Sequence, residues 1–218
     1  MAHDVDLLSL YAHRMAAMKK RMARIDAIFE EAHGLKAARV FAEDDEALES
    51  FALQFRKVLE LIAFSGMVAN KVAYEDAHAD FAKNAYPASI GRRLDSVHPT
   101  WFPRHVTVER HPGMPQKLVF VRPADSDFDR KRWQQFYDVM GVILHVRNPF
   151  AGGVQLNLDI GLLQAHTMVK RHMTSHVARV LSGPPLLCEL GTWPVGDCEV
   201  SAAVWLEAAL DTREVPPW

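Results

Sequence analysis

From Leu8 onward the apolar residues recur as Leu8, Tyr11, Met15, Met18, Met22, Ile25 and Phe29, in alternating steps of three and four. That spacing predicts a helix with an a/d seam. Asp4 or Asp6 can cap its start, and Gly34 stands just past its end, where a left-handed C-cap would sit. Three heptads are the lower limit for an intermolecular coiled coil, so the spacing favours a bundle helix packed on its own chain. A second helix is predicted from Asp44 or Asp45 to about Lys83, with a soft spot at Gly66. One stripe of it reads Leu48, Phe51, Phe55, Val58, Leu59 and Ile62. A second, made of Leu53, Phe64 and Met67, falls on the opposite side at ~100° per residue. A helix apolar on two faces is a central helix.

Residues 89–97 read as one short helix, and 98–103 (His-Pro-Thr-Trp-Phe-Pro) as an extended connector, because each proline pushes its predecessor out of the α region. Apolar alternation over 105–110 and 117–122, on either side of Pro112-Gly113-Met114-Pro115, predicts a β-hairpin. Ser126 caps a helix over about 127–146, with Trp133, Phe136, Met140, Ile143 and Leu144 as its buried stripe, and residues 148–153 end it. Another helix runs from about 159 to 181, carrying Leu162, Val169, Met173 and Val180 on one side. After Gly183-Pro184-Pro185 the runs 186–190 and 198–206 are short and β-compatible, with helix as the alternative for the alanine-bearing second run. The fold class is therefore mainly α: a helical bundle with a small antiparallel β-element, α+β in outline. The two hairpins are expected to join in one sheet, since isolated hairpins are marginal in water. Residues 1–183 form the bundle with the inserted hairpin at about 105–122, and 184–218 a β-rich C-terminal appendage packed on the same domain.

Composition narrows the picture. The chain has 218 residues, 49% hydrophobic and 24% charged, enough for one well-cored domain. A formal charge of −2 and a pI near 6.6 argue against coating nucleic acid or anionic membrane by bulk electrostatics, though a local basic site is allowed. Two cysteines make no disulfide framework, and the N-terminus lacks the basic and apolar regions of a secretory signal, so a cytoplasmic protein with reduced thiols is expected. No apolar stretch reaches the ~20 residues a bilayer requires, so no membrane association is expected.

Some polar residues do not fit the core pattern. Arg56 and Glu60 are four apart on the central helix, on the side of Leu53, Phe64 and Met67. If buried they must pair, and Arg before Glu at this spacing is the weaker intrahelical orientation, which points to tertiary partners. His145 sits in the last turn of its helix, in line with Gln134, Asp138 and Gly141, and the glycine clears space beside it. Arg147 and Asn148 follow at once. Imidazole can act as a general base near neutral pH and guanidinium can clamp a phosphate in two places. The competing reading is structural: cations favour a helix C-terminus and Asn-Pro starts an ordinary turn. His172 and His176 have a metal-ligand spacing, but the glutamate of His-Glu-x-x-His and a third ligand are absent, so no metal is expected and His166 and His176 read as core-edge residues. Cys188 and Cys198 read as buried thiols.

The stretch 55–62 (Phe-Arg-Lys-Val-Leu-Glu-Leu-Ile), the connector 99–103 (Pro-Thr-Trp-Phe-Pro) and the set Tyr137, Gly141, Leu144, His145, Asn148, Pro149 and Phe150 resemble a group of bacterial helical proteins that are in turn similar to the HEPN superfamily. The resemblance covers roughly residues 50–150. It implies a helical bundle, often dimeric, and in many members a metal-independent ribonuclease of toxin–antitoxin or phage-defence systems, with an arginine and a later histidine at the dimer cleft; other members only bind. This chain departs from the Arg-x(4–6)-His pattern, because Gly152, Gly153 and Val154 stand where the histidine after Arg147 is expected. Arg171 with His176 does satisfy it, as do matches starting at Arg92, Arg93 and Arg104, against roughly two expected by chance. On helical geometry Arg171 would project ~140° from His176.

Two functions follow. The first is a HEPN-like protein acting on RNA without a cofactor, with His145 as acid/base, Arg147 as phosphate clamp, Asn148 as positioning donor and Arg56 with Glu60 as binding groups. Its partners would be RNA, a second copy of the chain in a homodimer, built on the methionine-rich 8–29 seam, and a protein such as an antitoxin. The second is a non-catalytic helical binding or assembly module in which the same cluster is structural.

Overall fold

The structure is a computed structural model describing residues 2–31, 45–73, 87–111, 114–121, 123, 127–145, 158–181, 185–191 and 201–204. It is mainly α with a small antiparallel β-element, as the hydrophobic pattern predicts. Helix α1 (Ala2–Glu31) buries Tyr11, Met15, Met18, Met22, Ile25 and Phe29, the seam read from the sequence, against its own chain. That seam is therefore not available as a dimer contact. Asp4 and Asp6 lie inside the helix rather than capping it. Gly34 lies outside the described residues.

Helix α2 (Asp45–Ala69) packs on α1, on α3 (Pro87–Val97) and on α4 (Arg130–Leu144), and is the central helix. Its main stripe is buried as expected, while on the second side Leu53 is 45% exposed and Phe64 and Met67 are half-buried. The second stripe is thus a flank rather than a second core face, and the Arg14 guanidinium covers Phe64 at 5.5 Å. Gly66 is no soft spot. The helix runs through it, and a Cβ there would lie 2.3 Å from the Trp101 ring, so glycine is what lets the buried tryptophan approach. The helix stops at Asn70, whose amide donates to Gly66 O and Arg179 O and accepts from Leu181 N, satisfying the freed end. Residues 71–73 are helical again after this break, and 74–83, over which the helix was expected to continue, lie outside the described set.

The connector after α3 is a turn rather than an extended strand. Trp101 N donates to His98 O at 3.0 Å, with Pro99 in the corner where its fixed φ suits a β-turn. Strand β1 (Arg104–His105) follows, then the hairpin of β2 (Thr107–His111) and β3 (Met114–Val121), with Thr107 opposite Val121 and a bulge at Arg110/His111. Helix α4 is capped by Asp129, whose carboxylate accepts from Arg132 N at 2.7 Å, so it starts three residues later than expected; Ser126 and 148–153 fall outside the described residues.

The largest departure is in the last helix. Helix α5 spans only Leu162–Thr174, and the chain passes straight into β4 (Ser175–Ala178). The Thr174 hydroxyl bonds back to Lys170 O, and β4 finds pairing partners on both edges, which outweighs the weak helical preference of Thr-Ser-His-Val. With β5 (Leu186–Glu189) and β6 (Ser201–Val204) the order is β1-β4-β5-β6, all antiparallel. The two hairpins therefore do not share a sheet. Only the two residues of β1 join β4, and β2–β3 forms a separate ladder. Residues 201–204 take the strand rather than the helical alternative. Leu186, Cys188 and Leu190 enter the same core as the helices, while Cys198 lies outside the described residues. Among the described residues no helix is long and apolar enough to cross a membrane.

Candidate functional site

Helices α2 and α4 bring together residues that the sequence only suggested as neighbours. Trp133 and Tyr137, one turn apart on α4, stack at 5.7 Å between ring centroids and 15° between planes. The Arg56 guanidinium of α2 lies over Tyr137 at 4.5 Å and donates to its hydroxyl at 2.9 Å. At the other end Arg130 lies 4.6 Å over Trp133 and pairs with Asp95 of α3 at 3.3 Å. Beyond Arg56, Glu60 is ion-paired with its Nε at 3.5 Å and accepts from Lys57 at 2.6 Å. The run Asp95, Arg130, Trp133, Tyr137, Arg56, Glu60 is a continuous ladder, acid and guanidinium at each end with two aromatic rings between. Trp133 pins it to the core by donating to Leu59 O at 2.9 Å.

Glycines make the ladder possible. A Cβ on Gly141 would stand 2.9 Å from Arg56 Nη1, and one on Gly91 would stand 2.7 Å from Arg130 Nη2. The space cleared by Gly141 is therefore filled by Arg56, not left beside His145. Arg56 has the tertiary partner that the spacing implied, Tyr137, besides its intrahelical contact with Glu60, whereas the contacts of Glu60 with Arg56 and Lys57 stay within α2. Cation–π contacts of this partly desolvated kind contribute about 0.5–2 kcal/mol each, so the ladder is first a fastening between helices.

His145 ends α4, exposed, at the residue where the chain leaves helical geometry with ψ 132°. Its side chain makes no hydrogen bond to another described residue. Arg147 and Asn148 lie outside the described residues, so of the expected catalytic set the structure describes His145 alone. The ladder itself was missed. Its available signal was the i, i+4 aromatic pair on α4 with Arg130 three residues before it; Trp133 had been read only as core.

The histidines of α5 and β4 are arranged differently. His166, 2% exposed, donates from Nε2 to Asp26 of α1 at 2.8 Å, and Lys170 binds the other oxygen at 2.6 Å. Burial pushes the Asp26 carboxyl up, but the hydrogen bonds from His166 and Lys170, and then their charges, outweigh it and hold it below the usual carboxylate range. His172 donates from Nε2 to Pro103 O at 2.8 Å. His176 is fully buried, its Nδ1 3.0 Å from Met173 O and its Nε2 2.8 Å from the Tyr11 hydroxyl. Only a donor can face a carbonyl, so Nδ1 carries the proton and Tyr11 donates to Nε2. Burial lowers the His176 pKa to about 4, with His105 adding to the effect and the Met173 bond opposing it. Burial likewise raises Tyr11 and pushes Cys188 up to about 12. Because His176 is on a strand, the helical angle expected between it and Arg171 does not apply. Arg171 faces solvent and His176 the core, so the pair does not meet at one phosphate. Among the described residues no three His, Cys, Asp or Glu side chains are grouped to hold a metal ion.

A groove lies where α5 meets β4, edged by Arg171, Thr174, Ser175 and Glu189. No protein-family model, no curated protein and no solved structure matches this chain.

Proposed function

We propose that this is a HEPN-like helical protein of the cytoplasm that acts on RNA, as a metal-independent ribonuclease of a toxin or phage-defence system. The observation that supports the reading is His145. It is an accessible imidazole at the end of α4, one turn beyond the glycine that seats Arg56 and two residues before Arg147. In this chemistry imidazole takes the proton of the RNA 2′-hydroxyl, whose oxygen attacks the adjacent phosphorus. The bond from phosphorus to the 5′-oxygen breaks, that oxygen is protonated as it leaves, and a 2′,3′-cyclic phosphate remains. Arg147 stabilises the charge gathering on the phosphorane, and Asn148 positions it by donation. Incubating the full chain with total RNA in EDTA tests the assignment. Wild type is expected to cleave and His145→Ala to be inactive; identical cleavage by both, or none by either, would remove it.

A homodimer and an antitoxin-like protein partner belong to the same reading. With the 8–29 seam buried within its own chain, the two-fold contact has to use another surface. Light scattering should give twice 24.6 kDa at micromolar concentration, and a monomer would eliminate any mechanism that shares residues between subunits.

A second reading, a non-catalytic binding or assembly module, is favoured by the way Arg56 is held. Its guanidinium is occupied by Tyr137 and Glu60, as a structural fastening would be. Under this reading Arg56→Ala lowers the melting temperature and leaves any cellular activity in proportion to the folded fraction.

A further inference from the structure

The groove where α5 meets β4 has a volume of about 380 Å³, within the lower part of the range of small-molecule sites. Arg171 and Thr174 reach it from the last turn of α5, Ser175 heads β4, Thr107 begins β2 and Glu189 ends β5. Ser175 and Glu189 are direct partners in the β4–β5 register, so their side chains stand on one face of the sheet. At neutral pH the lining carries one guanidinium and one carboxylate, Arg171 and Glu189, and the two charges cancel. Arg171 also pairs with Asp127 at 3.1 Å, with the two side chains 42% and 54% exposed. Exposed pairs contribute little, so an entering carboxylate can replace that of Asp127 on the guanidinium fork. A phosphate dianion would meet two carboxylates against one guanidinium. A ligand with a carboxylate at one end and an ammonium at the other leaves the groove neutral.

Ser175 stands between the two charges, four residues after Arg171 and directly opposite Glu189. Its Oγ is buried and finds no hydrogen-bond partner among the described residues, a costly condition that an amide entering the groove would relieve. The Thr107 hydroxyl donates to Val121 O, and its oxygen can accept from an amide N–H. Val106 adds an apolar wall. We propose that this groove binds a dipeptide with free ends, its carboxylate on Arg171, its ammonium on Glu189 and its central amide on Ser175. A lone amino acid brings both charges but no amide. Each residue beyond two moves the ends ~3.5 Å further apart, away from anchors separated by one turn of helix and one strand spacing. Dipeptide binding is independent of the ribonuclease reading of His145, and either can fail with the other intact.

Calorimetric titration of the full chain at neutral pH tests this with dialanine, alanine, N-acetyl-dialanine, dialanine amide and inorganic phosphate. Dialanine is expected to bind saturably at millimolar concentration or below. Acetylation removes the ammonium and amidation the carboxylate, and each should weaken binding about tenfold or more, the loss of a charge-assisted contact. Arg171→Gln should weaken dialanine to the level of its amide and leave the amide unaffected. Glu189→Gln should do the same for the acetylated peptide. Ser175→Ala should weaken dialanine about fivefold, the loss of roughly one hydrogen bond, and leave alanine unaffected. Four results overturn the proposal: no saturable binding of dialanine at millimolar concentration, a blocked peptide binding as tightly as the free one, alanine or phosphate binding as tightly as dialanine, or unchanged binding in Arg171→Gln with circular dichroism showing the variant folded. Where that variant does not fold, the wild-type comparison of dialanine with its amide makes the same decision. Dialanine binding without RNA cleavage would keep the groove and reject the ribonuclease, and cleavage without dialanine binding would do the reverse.

Discussion

Arg56 and Arg130 sit at the edge of the bundle, each over an aromatic face of α4, whereas His166, His172 and His176 are sunk between α5, α1 and the sheet. Both groups are polar residues on otherwise apolar faces, and they solve the problem in opposite ways. Guanidinium cannot shed its charge, so it keeps a wet edge and gains an acid and a ring. Imidazole can be neutral, so it can be buried: His176 has both nitrogens matched, by Met173 O and the Tyr11 hydroxyl, while His166 is held by one, its Nδ1 finding no hydrogen-bond partner among the described residues. The arginine ladder should therefore keep its two cations at any working pH and fail on loss of its rings, while the histidine layer should withstand loss of exposed charge and fail on acidification.

The largest effect is expected from the middle of the ladder. Trp133→Ala removes a fully buried ring, its bond to Leu59 O and the stack that joins Arg130 to Tyr137, and should lower stability by ~3–5 kcal/mol in urea unfolding. A loss under ~1 kcal/mol would mean that the ladder is decoration on a core that holds without it.

Acid should act next, on the other region. With its folded pKa at about 4 and an unfolded value near 6.5, His176 binds its proton more readily in the unfolded chain. Its contribution is present in full above pH 6.5, falls as pH drops from there to about 4, and is then constant, a total loss of ~3 kcal/mol. His176→Gln should flatten that part of the stability profile, and an unchanged slope in this variant would assign the acid sensitivity to another group.

Gly141→Ala is expected to do less. The new methyl meets the far end of a flexible arginine, which can move aside, and alanine gains ~1 kcal/mol of helix propensity over glycine. Net stability should stay within ~1 kcal/mol while Arg56 leaves Tyr137, a displacement visible in arginine side-chain NMR. A loss of ~3 kcal/mol would show the ladder clamped as tightly as the histidines, and would erase the contrast between the regions.

These differences mark where the amino-acid sequence is informative. The seam of α1 and the main stripe of α2 were legible because a 3.6-residue period can mean little else over so many turns. The switch from α5 to β4 was not, since strand pairing with β1 and β5 is non-local and Thr174 to Val177 carries only a weak propensity signal. The same holds at the ladder. Arg56 and Gly141 both stood out as residues, but that one fills the space left by the other depends on the packing of α2 against α4, which no spacing within either helix encodes.

The smallest effect on folding is expected where the largest effect on function is proposed. His145 is exposed and ends its helix, and its side chain bonds to no other described residue, so His145→Ala should alter unfolding free energy by no more than ~0.5 kcal/mol. The paired comparison with His176→Gln separates the two roles a histidine can have in this chain. If His145→Ala keeps its melting temperature and loses RNA cleavage, while His176→Gln shifts stability with pH and keeps its activity per folded molecule, the exposed imidazole is chemical and the buried one architectural. A melting temperature lowered by His145→Ala, with activity surviving in the folded fraction, would put His145 in the same class as the buried histidines and leave the module as the better account.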